Sequence, residues 1–261
     1  MKQKEIESES EFARKQLMFL LKLPMTLLKV LAKKSKPSEL TRPFSDIGRF
    51  IVAPRATFAL IMVNVAVFIL EVFYFAEEQL IKYIFQPGQL LQFKIIPMIA
   101  SWFLHVSLAH LLANMLILFI FGRVVEKHFG AKKMVWIYFG SAVISSAFAA
   151  FFGQGGVGAS GAIAGVIAVA ILYRPFYLTY LVFGIPMPII VIGWLSIIAD
   201  ITGILVPKND NIGHFAHLGG YLAISLLVFL FDKEERKKLK RGMLINIAFV
   251  IAAAGLSLIL R

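Results

Sequence analysis

The chain contains no cysteine. That absence excludes disulfides, thiolate metal sites and cysteine nucleophiles, and it leaves the redox compartment open. Acids are also scarce: 15 Asp and Glu stand against 27 Lys and Arg, a formal net charge of +12, and only 16% of the 261 residues are charged. In a soluble protein such an excess of cations points to nucleic acid. Here 59% of residues are hydrophobic and the mean hydropathy is +0.80, above the roughly 45–50% apolar share of soluble domains. The apolar residues gather in blocks of about 20, the length that crosses roughly 30 Å of hydrocarbon. We read the chain as an all-α, polytopic membrane protein. Its cations serve the positive-inside rule and anionic headgroups rather than nucleic acid. No early apolar run of about 7–15 residues leads to a small-residue cleavage site, so no removable signal peptide is expected.

Seven spans are expected, at residues 56–76, 108–125, 133–152, 159–173, 186–206, 212–231 and 243–260. They divide the chain into three regions. Residues 1–55 form a basic N-terminal region, 56–231 a six-helix core, and 232–261 a basic loop with a seventh span. If the N-terminus is inside, 23 of the 27 Lys and Arg fall on the inner side, and Lys82, Lys94, Lys208 and Arg261 remain outside. That ratio sets the N-terminus in the cytoplasm and the C-terminus outside. Phe12–Lys36 mixes leucines with lysines around Pro24 and reads as an interfacial amphipathic segment. Glu77–Ser107, broken by Pro87, Gly88 and Pro97, reads as re-entrant structure in the outer leaflet.

Span four is short. From Ala159 to Tyr173 it measures about 22 Å, and Pro175 ends it at Arg174. Its outer end, "GASG" at Gly158–Gly161, should therefore stop below the outer surface, with Ser160 at a helix N-terminus where unpaired N–H groups favour a developing anion. Span six, in "NIGHFAHLGG", carries His217 about 7.5 Å inside the same end, level with Ser160. An intramembrane histidine is a functional-site signal, and a serine needs such a base to act as nucleophile. Small residues let the helices meet closely: Gly161 and Gly165 on one, Gly219, Gly220 and Ala223 on the other. In "HVSLAHLLAN", His110 and Asn114 share a face at i, i+4 and are suited to stabilise an oxyanion. Simple helix capping by Ser160 is the competing explanation.

The remaining titratable groups are read as follows. His105 bridges the outer loop, His128 is solvated in an inner loop, and His214 is a weaker base candidate than His217 because it sits shallower. Glu71 snorkels outward. Asp200 takes a water-facing or gating role ahead of orienting His217. A transporter is disfavoured because the polar cluster sits at one end with no inverted repeat. A metalloprotease lacks HExxH, and a soluble hydrolase elbow would need GxSxG rather than GxSG.

"AHLLAN" (Ala109–Asn114), "VEKHFG" (Val125–Gly130), "GASG" (Gly158–Gly161) and "GHFAHLGG" (Gly213–Gly220), in this order over about residues 56–231, resemble the rhomboid family of intramembrane serine proteases. The resemblance implies a Ser160–His217 dyad, with His110 and Asn114 serving the oxyanion hole. Glu126 and Gly130 would be structural, and the seventh helix an appendage to the six-helix core. It also implies transmembrane protein substrates, no cofactor and no metal, and a prokaryotic plasma membrane is the expected location. A catalytically inactive relative that binds transmembrane helices is the alternative. Three positions depart from the family pattern: Ile96-Pro97 where Trp-Arg is frequent, Ala164 where an aromatic often packs on the base, and Ile224 where a second glycine is frequent.

Overall fold

The computed structural model describes residues 6–181, 184–206 and 212–259. Lys208, Leu260 and Arg261, which enter the sequence expectations above, lie outside the described residues. The architecture is all-α. Helices α1 (Glu9–Leu31) and α2 (Ser38–Val52) precede α3 (Arg55–Tyr74). Three short helices follow: α4 (Glu77–Ile81), α5 (Pro87–Leu91) and α6 (Ile95–Ser101). The bundle continues through α7 (Leu108–Phe151), α8 (Ser160–Tyr173), α9 (Ile189–Leu205), α10 (His214–Leu226) and α11 (Lys233–Ile259). A two-residue hairpin, β1 (Leu178–Thr179) with β2 (Met187–Pro188), joins α8 to α9. Helices α3 and α7 are long and apolar enough to cross a bilayer, whereas α8, α9 and α10 are shorter.

Helix α7 contains both the second and third expected spans. The seven-residue loop expected between them is a single-residue kink at Gly130, whose φ of 80° lies in the left-handed region. Just before it, Glu126 is 2% exposed and reaches across to the start of α3. There it accepts from the Ala56 N–H (3.0 Å), the Thr57 N–H (2.8 Å) and the Thr57 hydroxyl (2.8 Å). A carboxylate on three donors at a helix N-terminus satisfies orphan N–H groups and complements the dipole. This tie fixes α3 to the kink.

Helix α8 is the centre of the bundle. Residues 161–171 are all buried, and its neighbours approach at backbone distance. A Cβ on Gly161 would overlap the Ser145 hydroxyl, and one on Gly165 the Ser141 hydroxyl, both on the second arm of α7. A Cβ on Gly220 of α10 would overlap the Gly161 carbonyl oxygen. Ser145 Oγ donates to the Ala216 carbonyl at 2.8 Å, joining α7 to α10 across the same point. At the far end of α8 a Cβ on Gly242 would overlap the Leu172 carbonyl, and Asn246 Nδ2 donates to Ile171 O at 2.9 Å, so α11 is docked there.

Several charged groups are enclosed by the bundle. Glu71 does not snorkel: it is 8% exposed and accepts the His105 N–H, 3.3 Å from each oxygen. Arg123 is fully buried. It donates to the carbonyls of Glu7 (3.2 and 2.7 Å) and Phe50 (2.6 Å), and its guanidinium lies 3.6 Å from the Phe50 ring centroid. Carbonyls and a π-face replace the water a buried guanidinium gives up. Phe12 stacks on Phe50 at 4.2 Å, and Glu9 accepts from Thr179 Oγ1 and the Tyr180 N–H, both at 2.9 Å. The N-terminal helices are thus docked on the bundle, while Leu20, Leu21, Leu28 and Leu31 stay exposed. Pro24 does not interrupt α1; the carbonyl it leaves unpaired, at Leu20, sits on an exposed turn.

His128 lies at the α7 elbow, outside the apolar arms, and is not a solvated side chain. Its Nδ1 faces the Val124 carbonyl at 2.8 Å, and its Nε2 accepts from Arg174 Nε at 3.0 Å. Both bonds require a neutral ring. Burial holds its pKa below the ordinary histidine value, with nearby Arg174 and Lys127 adding to the effect. A histidine with a depressed folded pKa contributes stability that is present above about pH 6.5 and lost as the pH falls. We expect the melting temperature of the detergent-solubilised protein to drop between about pH 7.5 and about pH 5.5. The drop should be smaller in His128→Gln; equal drops would remove His128 as a source of acid sensitivity. Gly220→Ala tests the close approach. Helix propensity alone favours alanine by about 1 kcal/mol, but the obstruction is backbone that cannot yield, so we expect a net loss of about 1–3 kcal/mol. Thermal melts of the two proteins decide the sign.

Candidate active site

Ser107 caps α7, its hydroxyl accepting the His110 N–H at 3.1 Å, and thereby sets the rotation of the first turn that carries His110 and Asn114. The first arm of α7 therefore presents both residues to the loop that enters α8. That loop is held from the other side. Gly156 pairs with Phe85 in an isolated antiparallel bridge, and the Gly158 N–H donates to the Ser101 carbonyl at 2.8 Å. Trp102 Nε1 donates to Ser146 Oγ at 2.9 Å. The segment Glu77–Ser107 is accordingly a lid of short helices with Phe85, Met98 and Trp102 turned inward and Leu91, Phe93 and Ile96 exposed.

Gly158 has a φ of +125°, open to glycine and strained for other residues. A Cβ there would also lie 2.8 Å from His110 Cε1 and 3.7 Å from Asn114 Nδ2. The two side chains thus flank the backbone immediately before Ser160. His110 Nδ1 and Asn114 Nδ2 are buried without a hydrogen-bond partner. A buried polar group that nothing in the fold satisfies is costly, and two of them stand beside the backbone that enters α8.

Ser160 is the first residue of α8, and the N-cap position belongs to Ala159. The helix-capping explanation for the serine therefore does not hold. Its Oγ lies 2.7 Å from His217 Nε2. His217 Nδ1 in turn lies 2.7 Å from Asp200 Oδ1, and His214 Nδ1 2.9 Å from the same oxygen. Tyr221 donates to Asp200 Oδ2 at 3.0 Å. Asp200 is 6% exposed, so the expected water-facing role gives way to one inside a polar cluster between α9 and α10. Sequence reasoning missed Tyr221. Its signal was its place on the His214–His217 face, one helical turn beyond His217 at i+4. One ring nitrogen from each of His214 and His217 and an Asp200 carboxylate oxygen lie within 4.8 Å of one another, a spacing open to a divalent cation. Both pairs are nevertheless at hydrogen-bond length. His105 is buried against His110, ring centroids 5.0 Å apart, with Nδ1 3.0 Å from the Phe103 carbonyl.

Around Ser160 opens a cavity of about 910 Å³. Ser160, His217, His110 and Asn114 all line it, together with Trp102, Gln154 and the Gly155–Gly158 loop. The structure therefore brings the four chemically active candidates to one space. Gly161, Gly165 and Gly220 form the close-packed floor beneath, and Glu126 and Gly130 lie at the elbow.

Residues 92–234, just over half of the chain, match the Rhomboid domain model. The chain belongs to the rhomboid family. It is 32% identical over 143 residues to the mitochondrial RHOMBOID-like protein 12 of Arabidopsis thaliana, covering 47% of this chain and 42% of that protein. It is also 28% identical over 175 residues to RHOMBOID-like protein 4 of the same plant, covering 59% and 42%. The chain thus matches less than half the length of these relatives. Membership makes it an integral membrane protein, and the family comprises intramembrane proteases together with inactive members. The relatives are plant proteins, one of them mitochondrial, and give the expected prokaryotic plasma membrane no support.

Proposed function

We propose that this rhomboid is an active serine endopeptidase that cleaves transmembrane proteins. The observation that carries the reading is the 2.7 Å contact between Ser160 Oγ and His217 Nε2, in the wall of the 910 Å³ cavity. In the reaction His217 Nε2 takes the Ser160 proton as Oγ attacks the scissile carbonyl carbon. The carbonyl oxygen becomes an oxyanion, for which the buried side chains of His110 and Asn114 and the N-terminus of α8 are the available donors. Collapse of this intermediate breaks the C–N bond, and His217 returns the proton to the departing amine. Water, deprotonated by the same imidazole, then hydrolyses the acyl ester and regenerates Ser160. His217, not His214, is the base, since it is the His217 Nε2 that meets Ser160 Oγ.

Ser160 and Arg174 stand at opposite ends of α8. The cations of the N-terminal region, the α7 elbow and the turn into α11 share the Arg174 end by sequence order. By the positive-inside rule that end faces inward, so the cavity opens toward the outer leaflet. Within a helix the scissile carbonyl is already hydrogen-bonded along the axis, so a substrate must be bent or weakly helical at its cut site. A model transmembrane substrate with Gly near the cut should be cleaved faster than one with a run of strong helix formers; equal rates would refute the unwinding requirement.

A fluorophosphonate probe tests the nucleophile without a known substrate. The folded parent should label, and Ser160→Ala and His217→Ala should not. His110→Ala and Asn114→Ala should each slow cleavage of a model substrate by about 10²-fold or more. Labelling that persists in Ser160→Ala would assign the nucleophile elsewhere. A folded parent that neither labels nor cleaves would instead favour a protein that binds transmembrane helices without cutting them.

A further inference from the structure

Asp200 is the one ionisable residue of the 17-residue helix α9, and it is 6% exposed. An ionisable group at such a depth needs partners. It has three, all from one face of α10: His214, His217 and Tyr221 at positions i, i+3 and i+7. Oδ2 is taken by the Tyr221 hydroxyl, which fixes the rotation of the carboxyl group and leaves Oδ1 for the two imidazoles. We propose that Asp200 is a positioning residue for His217, so that Ser160, His217 and Asp200 act as one unit with Tyr221 clamping the carboxylate. This inference rests on the serine-protease reading above.

His217 has two neutral tautomers. A neutral imidazole carries one N–H and one lone pair. A carboxylate at 2.7 Å from Nδ1 accepts the proton there, which places the lone pair on Nε2, facing Ser160 Oγ at 2.7 Å. Without the carboxylate, nothing in these contacts selects that tautomer over the one in which Nε2 carries the proton and cannot receive another. The carboxylate also faces the positive charge that His217 acquires when Ser160 attacks. Packing gives little alternative restraint: Ala164, one turn beyond Ser160, offers only a methyl group and turns it toward Gly220. A purely structural Asp200, tying α9 to α10, would be satisfied by His214 and Tyr221 and would not need the His217 bond.

The test uses the full chain in detergent micelles, with Asp200→Asn beside the parent. It has three readouts: fluorophosphonate labelling rate, kcat and KM on a model transmembrane substrate, and the proton–nitrogen NMR signals of histidines labelled with ¹⁵N. The parent should show a low-field Nδ1–H resonance assigned to His217 by its loss in His217→Ala. In Asp200→Asn that resonance should disappear, and labelling and kcat should fall by about 10²–10⁴-fold with KM and the melting temperature little changed. Asp200→Asn labelling within about threefold of the parent, or a His217 resonance that persists, would overturn the assignment. If Asp200→Asn does not fold, the parent spectrum decides, because a parent His217 protonated at Nε2 overturns the proposal by itself. A folded parent with no labelling and no cleavage defeats the serine-protease reading and the base role with it, whereas a reactive parent with an unaffected Asp200→Asn variant defeats only Asp200.

Discussion

Helix α8 has 14 residues, about 21 Å of rise, against roughly 30 Å of hydrocarbon. A helix of that length cannot present both ends to water on its own. It is tolerated only because other helices cover it on all sides, and they can do so only where side chains are small enough for backbones to touch. Gly161, Gly165 and Gly220 provide those contacts, and the hydroxyls of Ser141 and Ser145 fill the remaining space. The consequence is chemical. The N-terminus of α8 is left inside the bundle, with Ser160 on its first turn and the cavity beside it. The depth of the serine, its distance to His217 and the room beside it all follow from the shortness of one helix and the glycines that surround it.

Much of this was legible in the sequence because periodicity and length report depth. Pro175 and Arg174 mark the inner end of α8, counting back from them locates Ser160, and the same count along α10 brings His217 to the same level. The i, i+4 spacing of His110 and Asn114 also survives as a shared face on the cavity. Depth, however, is only one coordinate. The sequence does not tell which way round its axis a helix faces, and each misassigned polar group failed for that reason. Asp200, Glu71 and His128 were given to water because their depth allowed it. The structure turns each toward a partner far away in sequence: α10, the His105 backbone and Arg174. The elbow of α7 shows a second limit. A charged stretch reads as a loop, yet Glu126, His128 and Gly130 stay in or beside helix because their polar groups find partners within the bundle.

Two kinds of polar group therefore coexist in the interior. Glu126, Arg123 and Asn246 are saturated, each donating or accepting at several contacts that join one helix to another. His110 Nδ1 and Asn114 Nδ2 are enclosed yet unpaired. Saturated groups hold the fold together, and their net contribution is modest because the same bonds are available in water to the unfolded chain. Unpaired ones lower stability, and a fold retains that cost where another interaction repays it. Their position beside the Ser160 turn, in a cavity, is where the oxyanion of acyl transfer would form.

Helix α9 links the two ends of this arrangement. At one end Trp194 Nε1 donates to Asn246 Oδ1 at 2.8 Å, and Asn246 also holds the Ile171 carbonyl, so α9, α11 and the foot of α8 meet at one residue. Six residues along the same helix Asp200 meets His214, His217 and Tyr221. Six residues span about 9 Å of helix. Over that distance a rigid helix transmits a rotation or a translation almost undiminished, while a loop of equal length would not. The placement of the Asp200 carboxylate against His217 is thus set at both ends, by α10 where it makes its bonds and by α11 where α9 is anchored. The C-terminal helix packs against the end of α8 opposite Ser160, yet through α9 it has a rigid connection to the imidazole that Ser160 faces.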